Sequence, residues 1–146
     1  MNRLTEHFTL EELTASEIAV RKGLDNSPDP DQVQNLNTLA GVLERVMDLV
    51  GGPLHIHSAF RSLKVNAAVG GSKNSAHLEG LAADFTCPSF GTPKEICIEI
   101  AASGLAFDQL IHEGGWVHIS ADPRYRQQIL TANFKGGKAT YVNGIV

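Results

Sequence analysis

Two short stretches of this chain bring together residue types that could do chemistry in concert. In Ser75-Ala-His77-Leu-Glu-Gly80-Leu-Ala-Ala-Asp84, an imidazole and a carboxylate stand seven residues apart, and Gly80 permits a sharp turn between them. In Glu113-Gly-Gly-Trp116-Val-His118, a carboxylate precedes a Trp-x-His alternation. Strand geometry would put Trp116 and His118 on one face and Val117 and Ile119 on the other. Were the strands bearing Asp84 and His118 neighbours, His77, Asp84 and His118 would converge. Two histidines and one carboxylate suit a single catalytic zinc ion, because three protein ligands leave the fourth tetrahedral position for water. Zinc lowers the pKa of that water towards about 7. Glu113, at the mouth of the hairpin carrying His118, is placed to accept the proton and hand it to a leaving amine. The same donor set also accommodates cobalt, nickel or manganese.

A hydrolase of this kind needs a cation or donor where negative charge develops on the attacked carbonyl. Arg61, in Ser58-Ala-Phe-Arg61-Ser, meets that requirement, and its guanidinium could equally hold a substrate carboxylate by two parallel hydrogen bonds. Spacing does not separate the two uses. By spacing alone, His118 is also compatible with a hydrogen-bonded strand histidine, Asp84 with a turn residue, Arg61 with a surface ion pair and Glu113 with a solvated hairpin residue. His55 and His57 alternate with Leu54 and Ile56 and share one strand face. With His112 they read as hydrogen-bonded or surface groups; the alternative is that His57 or His112 lines the cleft and tunes its pH dependence. His7 reads as a surface residue.

The elements that must position these side chains are legible from periodicity and capping. Thr9-Leu-Glu-Glu12 and Thr14-Ala-Ser-Glu17 have capping-box spacing, which predicts one or two short helices over residues 10–22, ending at Gly23. Asp25 to Asp31 is turn-rich. Val33, Leu36, Leu39, Ala40, Leu43, Val46, Met47 and Val50 then form the apolar stripe of an amphipathic helix, stopped by Gly51-Gly52-Pro53. A further helix runs from the capping box Thr92-Pro93-Lys94-Glu95 to Gly104. Strand character marks Leu54–Ser58, Ala82–Thr86, Gln109–His112, Trp116–Ser120 and, more weakly, Gln127–Leu130. The short, Gly-rich link Glu113-Gly114-Gly115 predicts a hairpin. Helices segregated from a small, mostly antiparallel sheet make an α+β fold.

Composition bounds the function. At 146 residues the chain is one domain, 1–146, long enough to bury a core without disulfides. Twelve Lys and Arg against sixteen Asp and Glu give a net charge of −4, which lacks the basic footprint of a nucleic-acid binder. There is no apolar run of membrane-spanning length and no membrane insertion is expected. The N-terminus lacks the apolar region and cleavage site of a secretory signal, so synthesis in the cytoplasm is expected. Cys87 and Cys97 lack CxxC spacing and read as buried thiols of a reducing compartment. A monomer is expected.

The run Ser58-Ala-Phe-Arg-Ser62, Asn66-Ala-Ala-Val-Gly-Gly-Ser72, Ser75-Ala-His-Leu-Glu-Gly-Leu-Ala-Ala-Asp-Phe85 and Trp116-Val-His118 strongly resembles the M15A peptidases. These are the zinc D-Ala-D-Ala carboxypeptidases and their phage endolysin-like relatives, which share their fold with the hedgehog signalling domain. Phe8-Thr-Leu-Glu-Glu-Leu13 and Gly23-Leu-Asp-Asn26 look like the phage- and prophage-borne branch. The resemblance runs from about residue 4 to 131. It implies His77, Asp84 and His118 as ligands of one zinc ion, Glu113 as catalytic acid/base, Arg61 as a catalytic contact to the substrate or the developing oxyanion, Ser75 as a contact to the substrate or to the residues around the metal, and Trp116 as a substrate contact. It also implies a peptidoglycan stem peptide as substrate. Ala59-Phe60 departs from the family's more frequent Gly-Tyr. The bond could be D-Ala–D-Ala, L-Ala–D-Glu or a cross-bridge, since pocket loops decide it. The resemblance further implies action on the wall after release from the cell or as part of a phage particle. The competing expectation is a non-catalytic virion or wall-binding protein retaining the fold; loss of a ligand or of the base would favour it, and none is lost.

Overall fold

A computed structural model describes residues 2–134 and 139–146. The chain forms α1 (Leu10–Thr14), α2 (Glu17–Lys22), α3 (Pro30–Val50), β1 (His55–Ser58), α4 (Leu63–Ala68), a 3-10 turn (Ala76–Glu79), β2 (Ala82–Thr86), α5 (Pro93–Ala102), β3 (Gln109–His112), β4 (Val117–Ser120), β5 (Gln128–Asn133) and β6 (Thr140–Asn143). Two separate helices form near the N-terminus, but the second is capped by Ser16 and not by Thr14, which ends α1 and donates through Oγ1 to the Leu10 carbonyl. Thr9 accepts from the Glu12 amide and Ser16 from the Ala19 amide, and Ala15 between them is extended. Asp29 and Gln32 cap α3 reciprocally, as Thr92 and Glu95 cap α5. Among the described residues, no helix is long and apolar enough to cross a membrane.

The strands form a six-stranded sheet in the order β1-β2-β4-β3-β5-β6. Every neighbouring pair is antiparallel except β3 and β5, so the sheet is mixed. The expected hairpin joins β3 to β4, with the Glu113 amide donating to the Trp116 carbonyl at 3.0 Å. One sheet face packs on helices: Phe85, Leu110, Val117 and Ile119 are fully buried there, with Leu36, Leu39, Leu43 and Val46 of α3 and Ile96 and Ile100 of α5. Each such side chain contributes about 1.5–3 kcal/mol by leaving water. The other face, one residue out of phase, carries Asp84, His118 and Ile111 in one register row, because Asp84 pairs with His118 and His118 with Ile111.

Three features differ from the sequence reading. Helix α4, the 3-10 turn and β6 carry too few periodic residues to be read from the chain. The strand expected at Gln127–Leu130 extends to Asn133, because β6 pairs with its second half. The β1–β2 register shifts between Ile56 and Ser58, so β1 carries a bulge at His57 immediately before the Arg61 segment. His57 Nε2 lies 2.8 Å from Thr86 Oγ1, and His112, opposite Val117, belongs to the helix-packed side. His55 is exposed, and His7 sits at the surface beside Glu44. Cys87 and Cys97 are buried free thiols, and burial pushes the Cys97 thiol up to about 12.

Candidate metal centre and its cleft

His77 is placed by its turn rather than by a strand. Ser75 Oγ accepts from the His77 amide at 3.2 Å and opens the 3-10 turn. Gly80 closes it at φ 77°, where a Cβ would come within 2.9 Å of the Gln32 carbonyl oxygen, so only glycine lets the chain swing into β2. The Arg61 amide donates to the His77 carbonyl at 3.0 Å, tying the turn to the segment after β1. Asn26 fastens that segment on both sides of Arg61: its Nδ2 donates to the Phe60 carbonyl and its Oδ1 accepts from the Ser62 amide.

The imidazole of His77 is almost fully buried, and its Nδ1 lies 2.6 Å from the Ala59 carbonyl oxygen. A carbonyl only accepts, so Nδ1 carries the proton. Burial pushes the His77 pKa down, which keeps the ring neutral and Nε2 a bare lone pair. That lone pair faces Asp84 Oδ1 at 3.3 Å, and His118 Nδ1 lies 2.9 Å from the same oxygen. Burial works against ionisation of Asp84, but the hydrogen bond with His118 outweighs it and holds the carboxyl far below the usual range. A neutral nitrogen lone pair against a carboxylate oxygen needs a cation between them. The three ligand atoms all lie within 4.8 Å of one another. Tetrahedral zinc with bonds of about 2.0–2.1 Å separates its ligand atoms by about 3.4 Å, close to the spacing seen here. The donor set therefore fits zinc, with Ala59 orienting His77 from its far nitrogen.

All seven side chains singled out from the sequence line one cleft of about 580 Å³, inside the range of about 300–1,000 Å³ usual for ligand sites. Glu113 stands beside Trp116 at the hairpin, and burial pushes its carboxyl above the ordinary range. Arg61 reaches Ser75 Oγ through Nη2 at 3.4 Å, and burial lowers its pKa without threatening its charge. Arg61 Nε and Trp116 Nε1 are buried donors that have no hydrogen-bond partner among the described residues. Such orphans cost roughly 1–3 kcal/mol each, a cost that a ligand in the cleft would relieve.

Sequence reasoning missed most of the other lining residues, among them Val69 to Ser72 before the turn, Gln109 and Ile111 on β3, Leu130 on β5, and Phe134 and Tyr141 at the far end. Gln109 and Ile111 could have been found by stepping back in twos from Glu113 along β3. The others come from segments whose placement depends on long-range pairing. Neither His57 nor His112 lines this cleft; His57 borders a neighbouring groove behind Arg61.

No curated protein matches the chain. A family model described as Peptidase M15 matches residues 6–120, well over half of the sequence. That span contains every side chain of the converging site and ends with β4, leaving β5 and β6 beyond it. The match places the chain in the peptidase M15 family of zinc-dependent metallopeptidases.

Proposed function

We propose that this protein hydrolyses an amide bond in bacterial peptidoglycan stem peptides, with one zinc ion held by His77, Asp84 and His118. The observation that carries the reading is the convergence of that triad with Glu113 and Arg61 in a single cleft. Zinc supplies a Lewis acid that eases deprotonation of water and polarises a carbonyl. Glu113 takes the proton from the attacking water and passes it to the nitrogen of the leaving amine, so that the C–N bond breaks to a carboxylate and an amine. Its raised pKa brings it nearer the operating pH, where a group serves best as base and then acid. Arg61, fixed through its backbone to the His77 turn, presents its guanidinium to the carbonyl oxygen or to a substrate carboxylate. Ser75 and Trp116 complete the substrate contacts. Wall degradation by a phage or prophage product is the setting proposed for this activity.

The test is mass spectrometry of purified muropeptides incubated with zinc-loaded protein, with Glu113→Ala alongside. Loss of one D-Ala would identify a carboxypeptidase and an internal cut an endopeptidase, provided the variant is silent. No cleavage across a varied muropeptide panel would instead favour a wall-binding role.

A further inference from the structure

The cleft does not end at Glu113. On the open face of the sheet the register aligns a second row beside the Asp84–His118–Ile111 row. Glu113 follows Ile111 by two, Ala132 follows Leu130 by two, and Ile111 pairs with Leu130 while Ala132 pairs with Tyr141. Trp116 and Glu113, just beyond the joined ends of β4 and β3, therefore continue one row with Ala132 of β5 and Tyr141 of β6. Ala132 is the small residue in that row, with only a methyl group between the positions of Tyr141 and Glu113. Tyr141 and Phe134 are half-exposed, at 50% and 53%, yet both line the same cleft as the triad. The phenol hydroxyl of Tyr141 makes no hydrogen bond among the described residues. Burial first, and then the charges of Glu113 and Asp84, raise its pKa, which keeps it a neutral donor.

We infer that Tyr141 and Phe134 form a specificity-determining wall, which grips a stretch of peptide continuing beyond the bond that is cut, on the Glu113 side. This rests on the proposed peptidase function and deepens it. Strands lie about 4.8 Å apart, so the three intervals from β4 to β6 span about 14 Å, the length of roughly four extended residues. The tyrosine side chain covers part of that distance, which places the contact at roughly the second or third residue from the scissile bond. At the opposite end the cleft is bounded by Arg61 and Ser75, so the triad lies between a charged wall and an aromatic one. A substrate that uses both must extend on both sides of the cut. The rings offer the aliphatic parts of the peptide an apolar face, and the phenol offers its backbone a donor. This end of the cleft lies outside the span shared with the family, where loops that set specificity are free to differ.

The experiment compares zinc-loaded wild type, Tyr141→Phe, Tyr141→Ala and Phe134→Ala on synthetic stem peptides. One set is truncated close to the scissile bond, and the others are extended by three residues on either side. Binding is read separately from the fluorescence of Trp116, the only tryptophan, in the Glu113→Ala background. The wall predicts that wild type prefers one extended series and that Tyr141→Ala lowers the long-over-short ratio of kcat/KM about tenfold, mainly through KM. Tyr141→Phe should recover most of the ratio, and the long-peptide Kd should weaken in parallel. A ratio unchanged in Tyr141→Ala and Phe134→Ala, with cleavage intact, overturns the wall and leaves the peptidase standing. The absence of both cleavage and a fluorescence change with every peptide overturns the proposed function, and the wall with it.

Discussion

Asp84 and Asp108 are both carboxylates withdrawn from solvent, with side-chain exposures of 16% and 2%, yet their surroundings give them opposite roles. Asp108 meets guanidinium: Arg126 Nε donates to Oδ1 at 2.9 Å and Nη2 to Oδ2 at 2.8 Å, the Arg126 amide adds a third bond, and Arg124 stands 3.6 Å away. Its charge is already matched. Asp84 meets two imidazoles, one of them held with its proton on Nδ1 by the Ala59 carbonyl and kept neutral by burial, so its oxygens keep the capacity to bind a cation from outside the chain. A buried acid bordered by arginines locks backbone; bordered by histidines it makes a socket for a divalent cation. What Asp108 locks is unusual backbone. Tyr125 and Gln127, on either side of Arg126, hold φ of 43° and 51°, a region costly to side chains other than glycine.

The largest test of the contrast is removal of the socket. Asp84→Ala, His77→Ala or His118→Ala should abolish stoichiometric zinc binding in equilibrium dialysis and bring turnover to background, and a strong chelator should do the same reversibly to wild type. Asp108→Ala should leave zinc stoichiometry at one, and a loss of zinc there would erase the distinction. Next comes Glu113→Ala, which should retain zinc and lower kcat by about 10²–10⁴; an active variant would refute its role. Smaller again is the structural carboxylate. Asp108→Ala should destabilise the fold by about 2 kcal/mol in denaturant melts, less than for a fully enclosed ion pair because Arg126 is partly solvated. Arginine holds the Asp108 pKa below its ordinary 3.8, so its contribution is complete above that value and fades as pH falls through the lowered one. Asp108→Asn should therefore narrow the gap in melting temperature between about pH 6 and pH 3. The slightest effect belongs to His7, whose pKa rises above its ordinary 6.5 chiefly through its hydrogen bond with Glu44. Its stabilisation is full below 6.5 and disappears as pH climbs through the raised value, so His7→Ala should differ from wild type only on the acidic side.

The same contrast explains what could be read from the chain. His118, Trp116 and Glu113 were legible because a two-residue period and a Gly-Gly turn are local signals, and the burial of Val117 and Ile119 follows from the same alternation. The α3 stripe was legible for the equivalent helical reason. His77 was legible as a residue type, but the carbonyl that fixes its tautomer lies eighteen residues upstream and belongs to no motif. Asp108 carries no local signal, since its partner Arg126 stands between two left-handed residues that are not glycines. Tyr141 stayed hidden because its place beside Glu113 depends on a parallel pairing between β3 and β5, which no local pattern encodes.

The strand order has a dynamic consequence. β2, β4 and β3 occupy the interior of the sheet, whereas β6 is an outer edge whose four residues are all exposed. Local opening becomes easier where fewer apolar contacts resist it. Amide exchange should thus form a gradient, slowest at Ala83 and Ile119 and fastest along Thr140–Asn143. Fraying at the rim would cost the triad nothing, so one edge of this sheet can adapt to what it touches while the interior strands that carry Asp84 and His118 stay rigid.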